Sequence, residues 1–231
     1  MPKITESGKL REGRGTGIGA NYKPWIKIRE VNSISTATTV MDYKTGRKVE
    51  LLSQGEVYYY YILRWDDTVE DIREQFPLRL EKTLAIADRL GYRHPKDRQT
   101  LMTTDLLVTR TDGSLGAYCI KTDRSVFDNP RTCEKVYIEK MYWETQGIPF
   151  HICLKEDMKP FYVQNIMDVV SCYDPSCVQD AHGMIRYLIA HKQITVDMES
   201  SRINYEELID QYNHLIPPNL FQPPLLPSPR K

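Results

Sequence analysis

Apolar and polar positions follow two periods along the chain, and the switches between them mark out the elements. Residues 37–43 and 48–52 alternate on either side of Lys44-Thr45-Gly46, which predicts a hairpin. The apolar residues then crowd together from Val57 to Trp65. Ser53-Gln54-Gly55-Glu56, directly before them, is a Ser-x-x-Glu capping box, so a helix is predicted to start there. Val69 to Leu78 returns to period two and ends at Pro77. Within Glu81 to Leu90, the residues Leu84, Ala87 and Leu90 recur at helical spacing, and Gly91 is the stop. Thr103-Thr104-Asp105-Leu106-Leu107-Val108 and Ala117-Tyr118-Cys119-Ile120-Lys121 read as adjacent strands. Between them, Thr111-Asp112-Gly113-Ser114 has turn chemistry, with a glycine free to take positive φ. Arg131 to Gln146 reads as a long amphipathic helix offering Val136, Ile138, Met141, Tyr142 and Trp143 to a core. Gly147 and Pro149 end it, and Phe150 to Leu154 is a short strand. Such an order predicts a mixed α/β core with helices on the faces of its sheet.

Beyond the charged hinge Lys155 to Pro160 the pattern turns mainly helical. Helices are expected over Tyr162 to Val170, Ala181 to His191 and Tyr205 to Tyr212. Gln193 to Met198 and the residues around Arg202 to Asn204 suggest a small hairpin. Helices plus a hairpin point to a winged-helix-like module, which serves in binding DNA or in docking a protein. The domain plan is a basic, glycine-rich arm over residues 1–30, a core over 31–155, this module over 160–216 and a proline-rich tail over 217–231. Six prolines break the tail, so it is expected to be extended, with Leu220, Phe221, Leu225 and Leu226 as anchors for a partner.

Composition narrows the class only a little. The 231 residues are 41% hydrophobic and 27% charged, which suits a core-forming chain. No apolar run reaches the roughly 18–20 residues of a membrane span, and the first residues lack the apolar core of a signal peptide. A cytoplasmic protein is expected. Of the five cysteines the nearest pair is Cys172 and Cys177, so neither a zinc motif nor a disulfide framework is supported. The net charge is zero, yet residues 1–31 hold seven Lys and Arg against three Glu. Either a phosphate-contacting arm or a merely solvated one fits that excess. Arg14 and Lys23 there, with Arg73, are the candidates for DNA contact. The run Gly13-Arg14-Gly15-Thr16-Gly17-Ile18-Gly19 is neither a P-loop nor a dinucleotide fingerprint: no Lys-Ser/Thr follows it and no apolar strand precedes it.

The residues with chemistry to offer are Asp105, Lys121 and, upstream, Glu56. Neighbouring antiparallel strands would bring a carboxylate and an ammonium together. A hard cation such as Mg²⁺ takes carboxylate oxygens and water, and a nearby ammonium can steady charge developing on phosphorus. Glu56 either joins them or simply caps its helix.

Leu51-Leu52-Ser53-Gln54-Gly55-Glu56, Asp71-Ile72-Arg73-Glu74-Gln75-Phe76-Pro77-Leu78, His94-Pro95, Thr103-Thr104-Asp105, Lys121, Arg131-Thr132-Cys133-Glu134-Lys135, Tyr142-Trp143 and Ile148-Pro149 occur in that order. Together with Gly13 to Gly17 and Tyr22-Lys23-Pro24-Trp25, they resemble the TnsA endonuclease subunit of heteromeric cut-and-paste transposons, its CRISPR-associated branch included, over roughly residues 11–154. The resemblance implies a restriction-endonuclease-like core that cuts double-stranded DNA at transposon ends. It implies Mg²⁺, with Mn²⁺ as a substitute. The implied partners are an integrase of the TnsB kind and an AAA+ ATPase regulator of the TnsC kind. By position it makes Glu56, Asp105 and Lys121 catalytic, with Glu56, Asp105 and the Ile120 carbonyl on the metal. Glu139 on the long helix is the outer acid. Where the family usually has Gln, this chain has Cys119, a soft donor poorly suited to Mg²⁺.

Overall fold

The computed structural model describes residues 4–31, 37–95 and 100–221. The chain divides into two compact units, residues 1–158 and 159–231. In the first, strands β1 (Thr38–Met41) and β2 (Lys48–Leu51) form a hairpin. A four-stranded sheet is built from β3 (Val69–Pro77), β4 (Thr103–Arg110), β5 (Leu115–Lys121) and β6 (Phe150–Leu154), in that spatial order. The first three strands run antiparallel and β6 lies parallel to β5, so the sheet is mixed. The β4–β5 turn forms as its chemistry dictates, with Gly113 at φ 81° and the Ser114 carbonyl accepting from the Arg110 N–H at 2.9 Å.

Helices cover both faces of this sheet. Because strand side chains alternate, Leu107 and Ala117 share one face, and there they meet Ile86 of α3 (Leu80–Leu90) and Ile138, Tyr142 and Trp143 of α4 (Pro130–Glu144). Asp105, Cys119 and Lys121 have the same parity and lie on that side. The opposite face takes α2 (Gln54–Trp65). Its first turn packs so closely that a Cβ on Gly55 would come within 3.0 Å of Ile120 Cγ2.

The described residues before β1, 4–31, are not a free arm. A short helix, α1 (Glu6–Arg11), precedes a segment fastened to β3. The Tyr22 hydroxyl donates to the Glu74 carbonyl at 2.9 Å and the Trp25 N–H to the Gln75 carbonyl at 3.3 Å. Gly15 lies so tightly on Pro77 that no Cβ would fit. Arg14 closes the segment from within: its Nη1 lies 2.6 Å from Glu30 Oε1 and donates to the Trp25 carbonyl at 3.2 Å, and its Nε donates to Glu12. The β1–β2 hairpin is tied on by Arg47, whose two Nη atoms each donate to buried Glu74 at 2.7 Å.

The second unit packs three helices, α5 (Pro160–Val170), α6 (Ala181–Ala190) and α7 (Tyr205–Gln211), around Val163, Ile166, Val169, Ile185, Leu188 and Ile189. The hairpin expected over 193–204 does not form, so the wing of a winged helix has no counterpart among the described residues. The backbone groups that a ladder would have used are taken by a side chain instead. Asn165 Nδ2 donates to the carbonyls of Met198 and Ser201, and its Oδ1 accepts from the Ile203 N–H. Asp197 then turns the chain by accepting from the N–H groups of Glu199 and Ser200. The start of the proline-rich tail is also tighter than expected, since Pro218–Phe221 makes a 3₁₀ turn. Leu225 and Leu226 lie outside the described residues. Among the described residues no helix is long and apolar enough to cross a membrane.

Candidate active site

Glu56 stands in the first turn of α2, where the capping box does two jobs. Ser53 Oγ accepts from the Glu56 N–H at 3.2 Å and donates back to Glu56 Oε1 at 3.0 Å. Glu56 Oε2 accepts from the Leu52 N–H at 2.9 Å and from Gln75 Nε2 at 3.2 Å. Thus the carboxylate caps the chain entering its helix while facing the strands. Burial, then the charge of Asp105, push the Glu56 carboxyl up to about 7, although the hydrogen bonds from Leu52, Ser53 and Gln75 pull the other way.

Asp105 and Lys121 meet across the β4–β5 pair. Asp105 Oδ2 accepts from the Ile120 N–H at 2.7 Å and lies 3.7 Å from Lys121 Nζ. Lys121 Nζ also donates to the Ile120 carbonyl at 3.0 Å. Burial by itself would lower the Lys121 pKa, but Asp105 and the neighbouring acid and thiol outweigh it and hold the value above the ordinary one. The ammonium is therefore a permanent charge. Glu56, Asp105, Ile120 and Lys121 all line one cavity of about 410 Å³. Asp105 and Lys121 also line a larger cleft of about 740 Å³, whose wall includes Glu139.

Glu139 and Cys119 form the floor behind this pair. Glu139 is buried, and its Oε1 has no hydrogen-bond partner. Burial and the Asp105 charge raise its carboxyl to about 8. The Cys119 thiol is buried too, and burial with the charges of Glu139 and Asp105 pushes its pKa far up. It is a neutral thiol at physiological pH and offers a hard cation nothing.

These shifts carry a pH dependence. Glu56 and Glu139 have ordinary values of 4.5 and folded values of about 7 and about 8. A raised carboxyl stabilises the fold fully below its unfolded value and loses that stabilisation as pH climbs through the folded value. In chelator, the thermal midpoint should therefore fall by several degrees between about pH 5 and about pH 8, and Glu56→Gln should flatten that slope. A midpoint that is level across this range in both proteins would contradict the burial described here.

The other sequence candidates lie elsewhere. Arg14 was a candidate for DNA contact, but its side chain is 0% exposed and engaged by Glu12, Glu30 and the Trp25 carbonyl, so it cannot reach a phosphate. Arg73 is largely covered, donating to Thr109 at 2.9 Å beside Asp71, and it shares a separate cavity with Arg14, Trp25 and Phe76. Lys23 is exposed, and its Nζ donates to the Glu12 carbonyl at 3.2 Å. The further cations that line the large cleft beside Asp105 and Lys121 are Arg93, Arg131 and Lys135. Sequence reading gave them no DNA-contact role, although Arg131 and Lys135 stand one turn apart on α4, a spacing that presents both on one side of the helix. Gln75 enters the sequence reading only as part of the Asp71 to Leu78 strand segment that carries the resemblance, with no role at the site.

Residues 66–155 match the family model of the TnsA-like endonuclease N-terminal domain, a stretch that holds Asp105, Cys119, Lys121 and Glu139 but not Glu56. The chain is also similar to the Transposon Tn7 transposition protein TnsA of Escherichia coli, with 37% identity over 161 residues. That alignment covers 68% of this chain, and the chain spans 59% of that relative's length. With the mixed sheet and the Asp105–Lys121 pair already in place, the match assigns the first unit to a family: it belongs to the TnsA-like endonuclease N-terminal domains.

Proposed function

We propose that this chain is the metal-dependent endonuclease subunit of a cut-and-paste transposase, cutting the non-transferred (5′) strand at transposon ends. The observation that carries the proposal is one cavity lined by Glu56, Asp105, the Ile120 residue and Lys121 in a TnsA-like domain. The mixed sheet, with helices on both faces, supports a restriction-endonuclease-like reading of the core.

The donor set fits a hard divalent cation. Among the described residues no three His, Cys, Asp or Glu side chains converge. The site offers two carboxylates and the Ile120 carbonyl, all oxygen, which suits Mg²⁺ with water completing the shell, and Mn²⁺ as a substitute. The elevated Glu56 carboxyl supports the fit, because two carboxylates that repel each other gain from a cation between them. When bound, such an ion would lower the pKa of a water and draw charge from the scissile phosphate. Glu56 and Asp105 hold it. Lys121, fixed by Asp105 and the Ile120 carbonyl, orients the attacking water and stabilises charge on the phosphoryl oxygens. The products would be a 5′-phosphate and a 3′-hydroxyl. Arg93, Arg131 and Lys135 give the larger cleft a positive wall for the DNA backbone, with Lys23 exposed outside it.

In this reading the subunit works in the cytoplasm beside an integrase of the TnsB kind and an ATPase regulator of the TnsC kind. The second unit and the tail from Pro217, including Leu220 and Phe221, serve as the docking part. The second reading is a catalytically weak adaptor that bridges those partners, and Cys119 in the place of the family's Gln favours it. A stand-alone restriction or junction-resolving nuclease is the remaining alternative. Incubating the full chain, with and without the integrase, on a duplex containing a transposon end separates the three. Nicking of the non-transferred strand that needs both Mg²⁺ and the integrase is the expected result. An integrase that cuts its own strand while the other stays whole in Mg²⁺ and in Mn²⁺ establishes the adaptor. Integrase-independent cutting establishes the stand-alone nuclease.

A further inference from the structure

β3 contains one residue whose backbone is wrong for its type. Gln75 has φ +48°, a left-handed conformation that a side chain with a Cβ rarely takes. The β3–β4 register runs Glu74 to Leu106 and Phe76 to Thr104, so Gln75 falls opposite Asp105, and that one step of the ladder is left out. The distortion is fully occupied. The Gln75 carbonyl accepts the Trp25 N–H at 3.3 Å, and the buried carboxamide is held at both ends. Thr103 Oγ1 donates to its Oε1 at 3.1 Å, and its Nε2 donates to Glu56 Oε2 at 3.2 Å. In the ionised form that would bind a cation the Glu56 carboxylate only accepts, so the amide nitrogen faces it there.

The other partners of the Glu56 carboxylate, Leu52 and Ser53, belong to the chain entering its own helix. Gln75 is the partner that comes from the sheet. It joins the α2 carboxylate to the strand step that carries Asp105. Backbone strain persists where the surroundings enforce it, and such residues gather at sites of function.

We propose that Gln75 is a positioning residue of the nuclease site: its carboxamide, fixed by Thr103, sets the Glu56 carboxylate in the orientation that binds the divalent cation alongside Asp105. This rests on the nuclease reading above. Groups that orient a metal's carboxylate from behind change metal affinity or activity by about 10–100-fold when removed.

The test uses the full chain and titrates Mn²⁺ by the paramagnetic resonance of the free ion, alongside thermal melts. Gln75→Gly removes the carboxamide and relieves the left-handed strain, whereas Gln75→Met keeps the side-chain length. Both variants are expected to bind Mn²⁺ about 10–100-fold more weakly, with Gln75→Gly melting at or above the wild-type temperature. The Mg²⁺ concentration for half-maximal cleavage should rise by a similar factor, with much of the rate recovered at saturation. A merely structural Gln75 would move melting and leave Mn²⁺ affinity alone, so wild-type affinity in a folded variant of either kind overturns the proposal. Should Gln75→Gly not fold, Gln75→Met decides. If the wild-type chain itself binds no Mn²⁺ in a manner that needs Glu56 and Asp105, the nuclease reading fails, and the role of Gln75 fails with it.

Discussion

Asp105→Ala is expected to lower cleavage of the non-transferred strand by roughly a thousandfold or more, about 4 kcal/mol of transition-state stabilisation, while leaving the fold intact. Three losses fall together at this position. The proposed cation loses a carboxylate, Lys121 loses the counter-charge 3.7 Å away, and the Ile120 N–H loses its acceptor at 2.7 Å. The side chain is partly exposed, at 21%, so its removal opens no sealed cavity and the melting temperature should change little. Asp105→Asn separates the losses. It retains an acceptor for Ile120 but not the charge, and it should be equally inactive. In cells carrying the transposon, clean excision should give way to replicative joining, because one strand at each end stays attached to the donor. Strand cleavage within about tenfold of wild type in either variant would remove Asp105 from the site.

The elements that sequence placed best are those whose signals are local. Ser53 and Glu56 form the capping box that their spacing announced, and the Asp112-Gly113 turn fixes β4 against β5. Once those two strands pair, Asp105 and Lys121 are neighbours, so the centre of the candidate site was within reach of sequence pattern. What escaped depends on partners distant in the chain. The alternation over 193–198 resembles a strand, but Asn165, some thirty residues earlier, supplies the hydrogen bonds that a second strand would have given. A basic residue in a glycine-rich run reads as exposed, yet Glu12, Glu30 and the Trp25 carbonyl together make a buried socket for Arg14. No local rule gives Gln75 a left-handed backbone; the docked Trp25 and the pull of Glu56 and Thr103 enforce it. Glu56 shows the converse. Capping and metal ligation are compatible readings of one residue: the carboxylate makes the capping bonds, and ligation is the part that belongs to the proposal.

Stability should depend most steeply on a second ion pair, far along α2 from Glu56. Arg64 is fully buried, and its Nε and Nη2 donate to Asp42 Oδ1 at 3.1 and 3.0 Å while Nη1 donates to the Glu70 carbonyl at 2.8 Å. Asp42 is itself buried and holds the β1–β2 turn through the N–H groups of Lys44 and Thr45. Arg64 thus fastens helix, hairpin and sheet at one point. Arg64→Leu leaves Asp42 as a buried charge without its hydrogen-bonded counter-ion, a change that typically costs about 3–5 kcal/mol, against a total stability on the order of 5–15 kcal/mol. The pH dependence identifies the cause. In the wild type, burial pushes the Asp42 carboxyl up, but the Arg64 charge and the hydrogen bonds from the Thr45 N–H and from Arg64 outweigh it and hold it below the usual 3.8. A depressed carboxyl stabilises the fold above its unfolded value, and that stabilisation is lost as pH falls through the folded one. Without Arg64 the largest opposing influence is gone, so burial drives the carboxyl up against the remaining Thr45 hydrogen bond, and protonation relieves the variant as the solution is acidified. Urea unfolding should therefore show the gap between Arg64→Leu and wild type at its widest near neutrality and narrowing toward about pH 4. Adding Asp42→Asn to Arg64→Leu should recover part of the loss at neutral pH. A deficit below about 1 kcal/mol that does not vary with pH would mean that this pair does not hold the two elements together.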